Sequence, residues 1–129
     1  MIDFERKEHY GLSDLLRIVA LLRSEDGCPW DRVQTHASLR RSLLEEAYEA
    51  AEGIDRDDAD LLREELGDVL FAAVKAARFA GVDPEDALNA ACEKFIRRYG
   101  AVEQGARDRG VSVSDLTLEE MTGLWNAAK

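Results

Sequence analysis

Histidine, cysteine and proline are scarce in this sequence, which has two of each among its 129 residues. Cys28 and Cys92 are too few and too far apart for a disulfide framework or a metal-binding knuckle. His9 and His36 do not fall in the Glu-x-x-His spacing that a di-iron or di-manganese carboxylate bundle requires. Disulfide-rich scaffolds, zinc-knuckle proteins and di-iron bundles are therefore excluded.

Long apolar runs and an excess of positive charge are also missing. No apolar run approaches the roughly 20 residues that a membrane-spanning helix needs, and residues 1–9 lack the segments of a signal peptide. We therefore expect no membrane partner and a cytoplasmic location. The 17 basic residues are outnumbered by 27 acidic ones, for a net charge of −10, which argues against a nucleic-acid polymer as partner. A small phosphorylated ligand is compatible with this charge, because bound metal ions reverse the local field.

Helical periodicity dominates what the sequence does contain. Hydrophobic residues make up 46% and charged residues 34%, a composition typical of a folded soluble protein. Apolar residues recur at helical spacing, and no stretch alternates apolar and polar residues as a strand would. We predict a single all-α domain over residues 1–129, built as an antiparallel helix bundle of four main helices plus a short C-terminal helix.

Capping and stop residues set the expected limits of these helices. Ser13 is expected to cap the first helix, which ends at a loop over residues 24–29 where glycine and proline interrupt it. The later helices are expected at about 36–52 with a stop at Gly53, at about 58–80 with a stop at Gly81, from the Asp83-Pro84 start to at least Tyr99, and from the Thr117 capping box to near Trp125.

The second and third helices carry acidic residues within or beside their predicted packing faces. Helical geometry places Glu46 and Glu49 at the edge of one apolar stripe, formed by Leu39, Leu43, Ala47, Ala50 and Ile54. Glu65, with Asp68 three residues further on, projects within the apolar arc of the third helix, formed by Leu62, Leu66, Val69, Ala73 and Ala76. Two neighbouring helices therefore each turn a pair of acids toward their expected interface.

Such acids need compensation, since an unpaired buried carboxylate costs several kcal/mol. Basic residues are not expected to supply it, because those of these two helices fall at helix ends or on outer faces: Arg56, Arg63, Lys75 and Arg78. All-oxygen ligands suit hard cations such as Mg²⁺ or Mn²⁺. A metal site is one interpretation of the cluster. The other is that the acids are solvated, which is the common state of Glu and Asp on helices.

Two motifs resemble a known enzyme family. The segment Glu45–Glu49 (EEAYE), followed by Glu65–Asp68 (ELGD), resembles the EExxE…ExxD signature of the all-α NTP pyrophosphohydrolases. The segment Gly27–Asp31 (GCPWD), continued by Gln-Thr-His at 34–36, is similar to the MazG branch. The resemblance covers about residues 12–99, with a weaker echo at 124–125.

This resemblance implies hydrolysis of an NTP or dNTP between the α- and β-phosphates, giving a nucleoside monophosphate and pyrophosphate, in the service of nucleotide-pool house-cleaning. It implies that the Mg²⁺ ligands are Glu46, Glu49, Glu65 and Asp68. Glu45 would be an outer-shell ligand or the base that orients the attacking water. Bound metal ions would activate that water and neutralise the phosphate oxygens.

The resemblance also implies substrate-binding residues outside the acidic pairs. Lys94, Arg97 and Arg98 are candidates for holding the phosphates, with Asn89 as a weaker polar candidate. A solvated basic patch near a helix C-terminus is the alternative for these cations. Trp30 would either stack on the base or fill the core beneath its loop.

The sequence departs from the MazG pattern at one place. After Arg98 this chain reads Tyr-Gly-Ala-Val at 99–102, where the MazG pattern has a His-Pro-His-Val-like sequence, so the far side of the nucleotide pocket is expected to differ. Subunits of the resembled superfamily pair into a larger bundle, so the resemblance implies a homodimer or a dimer of dimers, with which a single motif copy and an alanine-rich third helix agree.

Two other functions remain open at this point. A non-catalytic helical module that binds nucleotide or a protein partner would use the acids only structurally. A related all-α enzyme acting on dUTP or phosphoribosyl-ATP would keep the acids, although the Cys-Pro-Trp-Asp loop favours MazG.

Overall fold

The computed structural model describes residues 2–129, and within them all regular secondary structure is helical, with no strand. The helices are α1 (Leu12–Leu22), α2 (Pro29–Arg32), α3 (His36–Asp55), α4 (Ala59–Phe79), α5 (Pro84–Asp108) and α6 (Leu118–Ala127), with a 3₁₀ turn at Val113–Asp115. The predicted all-α class is confirmed. None of the helices in residues 2–129 has the length and apolarity required to cross a membrane. Two compact units form, residues 2–84 and residues 85–129.

The first helix begins two residues earlier than the predicted Ser13 cap would allow. Gly11 is the residue before α1, and its N–H donates to the Asp14 carboxylate at 2.8 Å. Asp14 therefore closes the N-terminus from inside the first turn, and Ser13 lies within the helix. The loop predicted after α1 contains the short helix α2, which starts at Pro29, because proline is favoured in a first helical turn.

The α3–α4 hairpin forms the centre of the first unit. Gly53 was expected to stop the second helix, but α3 continues through it to Asp55. A Cβ on Gly53 would lie 2.9 Å from the backbone nitrogen of Leu62 on α4. The glycine therefore allows the two backbones to approach closely. The reversal itself is made by Asp57, which has a φ of 53°, and by Asp58, whose carboxylate caps α4 by accepting from the Leu61 N–H.

The buried faces of α3 and α4 differ from the predicted stripes. Leu39, Ala50 and Gly53 are buried on α3, and Glu65, Ala72 and Val74 are buried on α4. Several residues expected on the packing faces are exposed in this chain: Ala47, Ile54, Leu66 and Ala73. Across the other side of α4, Val74 packs with Leu16 and Val19 of α1 in a small core.

The second unit is held by a separate core around Val102, Ala106 and Leu116. Helix α5 continues past the expected minimum at Tyr99 to Asp108, and Gly110 follows with a φ of 71°. The predicted capping box of α6 is confirmed, since the Thr117 hydroxyl accepts from the Glu120 N–H while the Glu120 carboxylate accepts from the Thr117 N–H.

We expect Gly53→Ala to destabilise the protein although alanine is the better helix former. The added methyl group would press on the Leu62 backbone, and overpacking of this kind costs about 1–3 kcal/mol. Gly123→Ala in α6 is the control, because a Cβ there meets nothing within 4 Å and alanine should gain about 1 kcal/mol. Thermal and urea unfolding of both variants measure the effect. A Gly53→Ala variant as stable as Gly123→Ala would contradict the close approach of α3 and α4.

Candidate metal centre

Three carboxylates converge between α3 and α4. One ligand oxygen from each of Glu46, Glu49 and Glu65 lies within 4.8 Å of the other two. Glu46 and Glu49 are three residues apart on α3, so one helical turn brings them to the same side. Glu65 reaches them from α4 and is only 8% exposed. The predicted convergence of acids from two helices is therefore present for these three residues.

The environment of the cluster favours the protonated form of the carboxyl groups. Burial, a hydrogen bond to Glu49 and the negative charges of Glu49 and Glu46 raise the pKa of Glu65 from 4.5 to about 7. Burial also raises the pKa of Glu46, and the charges of Asp68 and Glu49 add to that shift. Both shifts have the same origin, because like charges crowded in a poorly solvated site oppose ionisation.

Asp68 and Glu45 lie at the margin of this cluster. Both are exposed, and neither belongs to the group of three oxygens within 4.8 Å. Their charges nevertheless act on Glu46, where Asp68 is the larger charge contribution and Glu45 a smaller one. The roles of metal ligand for Asp68 and of base or outer-shell ligand for Glu45 stay predictions.

The donor set fits a hard divalent cation. The Oε2 atom of Glu65 is buried and accepts no hydrogen bond from residues 2–129. Within that range no lysine or arginine forms an ion pair with Glu46, Glu49, Glu65 or Asp68. Carboxylates that lack protein cations are neutralised either by a proton or by a bound cation, and clustered carboxylate oxygens are the ligands that Mg²⁺ and Mn²⁺ prefer.

A second buried acid, Asp31 on α2, is neutralised by basic side chains of the chain itself. Its carboxylate is 4% exposed and pairs with the Arg23 guanidinium at 3.2 Å and with the Lys75 ammonium at 3.5 Å. Lys75 was expected on an outer face of its helix and instead points to this acid. No local spacing in the sequence indicates this cluster, because its three members are separated by 8 and 44 residues along the chain.

Trp30, next to Asp31 on α2, projects outward. Its side chain is 76% exposed in this chain, so the expectation that it fills the core beneath the loop is wrong for this unit. It lines a shallow cleft of about 170 Å³ with Cys28, Gln34 and Lys75. Its role as a base-stacking residue stays a prediction.

The candidate phosphate-binding residues all belong to α5 in the second unit. Arg97 donates to the Ala128 carbonyl at 2.9 Å, and the Arg98 guanidinium lies over the Trp125 ring at 5.6 Å. The Nε of Arg98 is buried and donates to no acceptor in residues 2–129. Lys94 and Asn89 are exposed. The echo of the motif at residues 124–125 thus corresponds to a side chain that holds Arg98 in place.

Comparisons with known proteins agree with the motifs. A family model for the MazG nucleotide pyrophosphohydrolase domain matches residues 34–102. The nucleoside triphosphate pyrophosphohydrolase/pyrophosphatase MazG of Thermotoga maritima is 46% identical over 90 residues, which are 67% of this chain and 35% of that protein. The nucleoside triphosphate pyrophosphohydrolase of Escherichia coli K12 is 43% identical over 90 residues, 66% of this chain and 34% of that protein.

Two further comparisons extend over most of the chain. The nucleoside triphosphate pyrophosphohydrolase of Mycobacterium tuberculosis is 35% identical over 133 aligned positions, 98% of this chain and 37% of that protein. This chain thus spans about a third of the length of these curated relatives. The crystal structure of a MazG-related protein from Thermotoga maritima aligns with a TM-score of 0.63 at 30% identity, covering 90% of this chain and 96% of that one. The chain therefore belongs to the MazG nucleotide pyrophosphohydrolase family.

Proposed function

We propose that this chain is a Mg²⁺-dependent pyrophosphohydrolase of nucleoside triphosphates. The observation that carries the proposal is the buried Glu65 carboxylate, which meets Glu46 and Glu49 and forms no ion pair with a lysine or arginine of residues 2–129. Such a cluster repels a triphosphate unless metal ions reverse the sign of the local field. Membership of the MazG family supports a nucleotide as the substrate.

In this proposal Glu46, Glu49, Glu65 and Asp68 hold the metal. Bound divalent cations supply Lewis acidity to the phosphate oxygens and lower the pKa of water. Glu45, exposed one residue before Glu46, orients the attacking water and accepts its proton. The water oxygen forms a bond to the α-phosphorus while the bond from that phosphorus to the α–β bridging oxygen breaks, and pyrophosphate leaves.

The remaining predicted residues bind the substrate. Lys94, Arg97 and Arg98 are proposed to hold the phosphates, Asn89 to add a polar contact and Trp30 to stack on the base. The fixed partners of Arg97 and Arg98 support this role, because a guanidinium held in place loses less conformational entropy on binding phosphate. We propose removal of surplus or aberrant nucleotides in the cytoplasm as the purpose of the reaction.

We also propose that the unit works as a homodimer or a dimer of dimers. Large apolar side chains remain exposed on α3 and α4, and these support a buried partner surface: Leu44, Tyr48, Ile54, Leu66 and Leu70. A row of this size is unusual on the surface of a monomer. We propose that residues 1–129 act as one functional domain in that assembly.

We expect Glu46→Gln or Asp68→Asn to lower kcat/KM at least about 100-fold, since even the loss of an outer-shell partner of a metal costs 10–100-fold. Pyrophosphate and monophosphate release from a panel of NTPs, dNTPs and dUTP with Mg²⁺ is the measurement. Glu64→Gln, an exposed acid beside Glu65, is the matched control and should keep wild-type activity.

The position of attack has its own test. Hydrolysis in ¹⁸O-labelled water should place the label in the nucleoside monophosphate, because the proposed attack is on the α-phosphorus. Label in pyrophosphate would contradict that mechanism. A folded wild-type protein that turns over no nucleotide in the presence of Mg²⁺ or Mn²⁺ would sink the proposed function and favour a binding module.

Metal binding should strengthen as the pH rises toward 7. The pKa of Glu65 is raised from 4.5 to about 7, so the folded metal-free protein binds this proton more tightly than the unfolded chain does. The free energy of unfolding of the metal-free protein therefore falls as the pH rises from 4.5 to 7. A metal must displace that proton, so apparent Mn²⁺ affinity should gain roughly tenfold per pH unit below 7. Calorimetric titrations from pH 5.5 to 8 measure this. Glu65→Gln should flatten the profile, and an equally steep profile in that variant would contradict the assignment.

We expect Leu70→Glu to dissociate the proposed oligomer. Leu70 is 56% exposed in the single chain, and a carboxylate at that position would be buried without a partner in an interface formed there. Light scattering after size exclusion measures the mass. Leu118→Glu is the control, because Leu118 is 77% exposed on α6. A monomeric wild-type protein, or dissociation by Leu118→Glu alone, would contradict this placement.

A further inference from the structure

The ion cluster around Asp31 joins four helices of the first unit. Asp31 lies on α2, its partner Arg23 follows α1, and its partner Lys75 lies on α4. The Arg23 guanidinium also covers the Phe79 ring of α4 at 5.1 Å, and His36 at the start of α3 meets that ring edge-on at 4.8 Å. One buried carboxylate is therefore the centre of contacts that reach α1, α2, α3 and α4.

This arrangement is costly for a role in stability alone. Removing the Asp31 carboxylate from water costs several kcal/mol even with two partly exposed cations beside it, and well-packed apolar residues often serve as well or better. The Oδ1 atom of Asp31 accepts no hydrogen bond in residues 2–129, with the Lys75 ammonium at 3.5 Å as its ion-pair partner. Ion pairs are directional, whereas apolar packing is not. The pairs of Asp31 can therefore fix the orientation of the short helix α2.

Fixing the orientation of α2 also fixes the position of Trp30. It precedes Asp31 on α2, a helix of only four residues, and its side chain is 76% exposed, so little packing fixes it. Lys75, which Asp31 engages, follows Asp68 by seven residues on α4, about 10 Å of helix rise. The ion cluster thus ties the outward-facing indole to the same helix that carries Glu65 and Asp68.

We propose that Asp31 is a positioning residue, which anchors α2 to Lys75 and Arg23 so that Trp30 is held at a fixed place relative to the carboxylates of α4. This inference rests on the proposed nucleotide hydrolysis, in which Trp30 stacks on the base. Although Asp31 borders the same cleft as Trp30, it acts in this proposal through Trp30 and not on the reacting atoms. Its loss acts through Trp30 and therefore on substrate binding, while the carboxylates that promote the chemical step stay in place.

A double-mutant cycle between Trp30→Ala and Asp31→Asn tests this role. Asp31→Asn should raise KM for a nucleoside triphosphate about tenfold while kcat stays within about twofold, because only ground-state positioning is lost. In the Trp30→Ala background the same change should leave KM within about twofold. Arg63→Met, which removes an exposed ion pair to Asp60 on the same helix, is the control and should not alter KM.

A second measurement needs no substrate and covers the case in which Asp31→Asn does not fold. The chain has two tryptophans, so Trp125→Phe leaves Trp30 as the only one. Lys75→Met in that background removes one cation and keeps the Arg23 pair, and should lower the fluorescence anisotropy of Trp30. Arg63→Met should leave the anisotropy unchanged.

The outcomes separate this inference from the proposed function. Wild-type protein without hydrolytic activity sinks the function, while the anisotropy still decides whether the ion cluster holds Trp30. If the wild-type enzyme is active, two results overturn the positioning role alone. One is a lower kcat in Asp31→Asn, and the other is an equal rise in KM whether residue 30 is tryptophan or alanine. Unchanged anisotropy in Lys75→Met overturns it as well.

Discussion

The burial of a glutamate between two helices is the constraint on which the site depends. Glu65 occupies a position on the packing face of α4 where an apolar residue would stabilise the fold, and its carboxylate lies against Glu46 and Glu49. The cost appears as a pKa raised to about 7. This cost falls on a residue whose neighbours in the cluster are themselves acids, so nothing in that group of three offsets the charge of Glu65. The remaining features of the site are arranged around that group.

The two buried acids of this chain illustrate the difference between an internal and an external partner. Asp31 is neutralised by Arg23 and Lys75, and that cluster fixes the helix that carries Trp30. Glu65 has no such cations within residues 2–129, only other carboxylates. The first acid has two cations of the chain as partners, whereas the second belongs to a cluster of carboxylates that could hold a metal ion. This contrast, in one unit of one protein, favours a metal centre over solvated acids.

Much of the fold could be predicted from local signals. Helix type, a helix start near residue 58 and the capping box at Thr117 followed from short-range chemistry that the structure retains. The errors have a common cause, which is that helix ends and faces depend on neighbours. Helix α3 continues through Gly53, where the missing side chain leaves room for the Leu62 backbone of α4. Ile54 and Leu66 are exposed, although helical periodicity placed them on the packing side.

The sequence alone determined the all-α class, the pairs of acids on two helices and the resemblance to the MazG family, because helical periodicity and short motifs are local properties of a chain. The tertiary structure was needed to show that Glu46, Glu49 and Glu65 converge and that Lys75 forms an ion pair with Asp31. It was also needed to show that Trp30 projects outward. These outcomes depend on contacts between residues distant in sequence. The crossing of α3 over α4, set at Gly53 by backbone contact, decides which side chains face each other, and no spacing along the chain encodes that geometry.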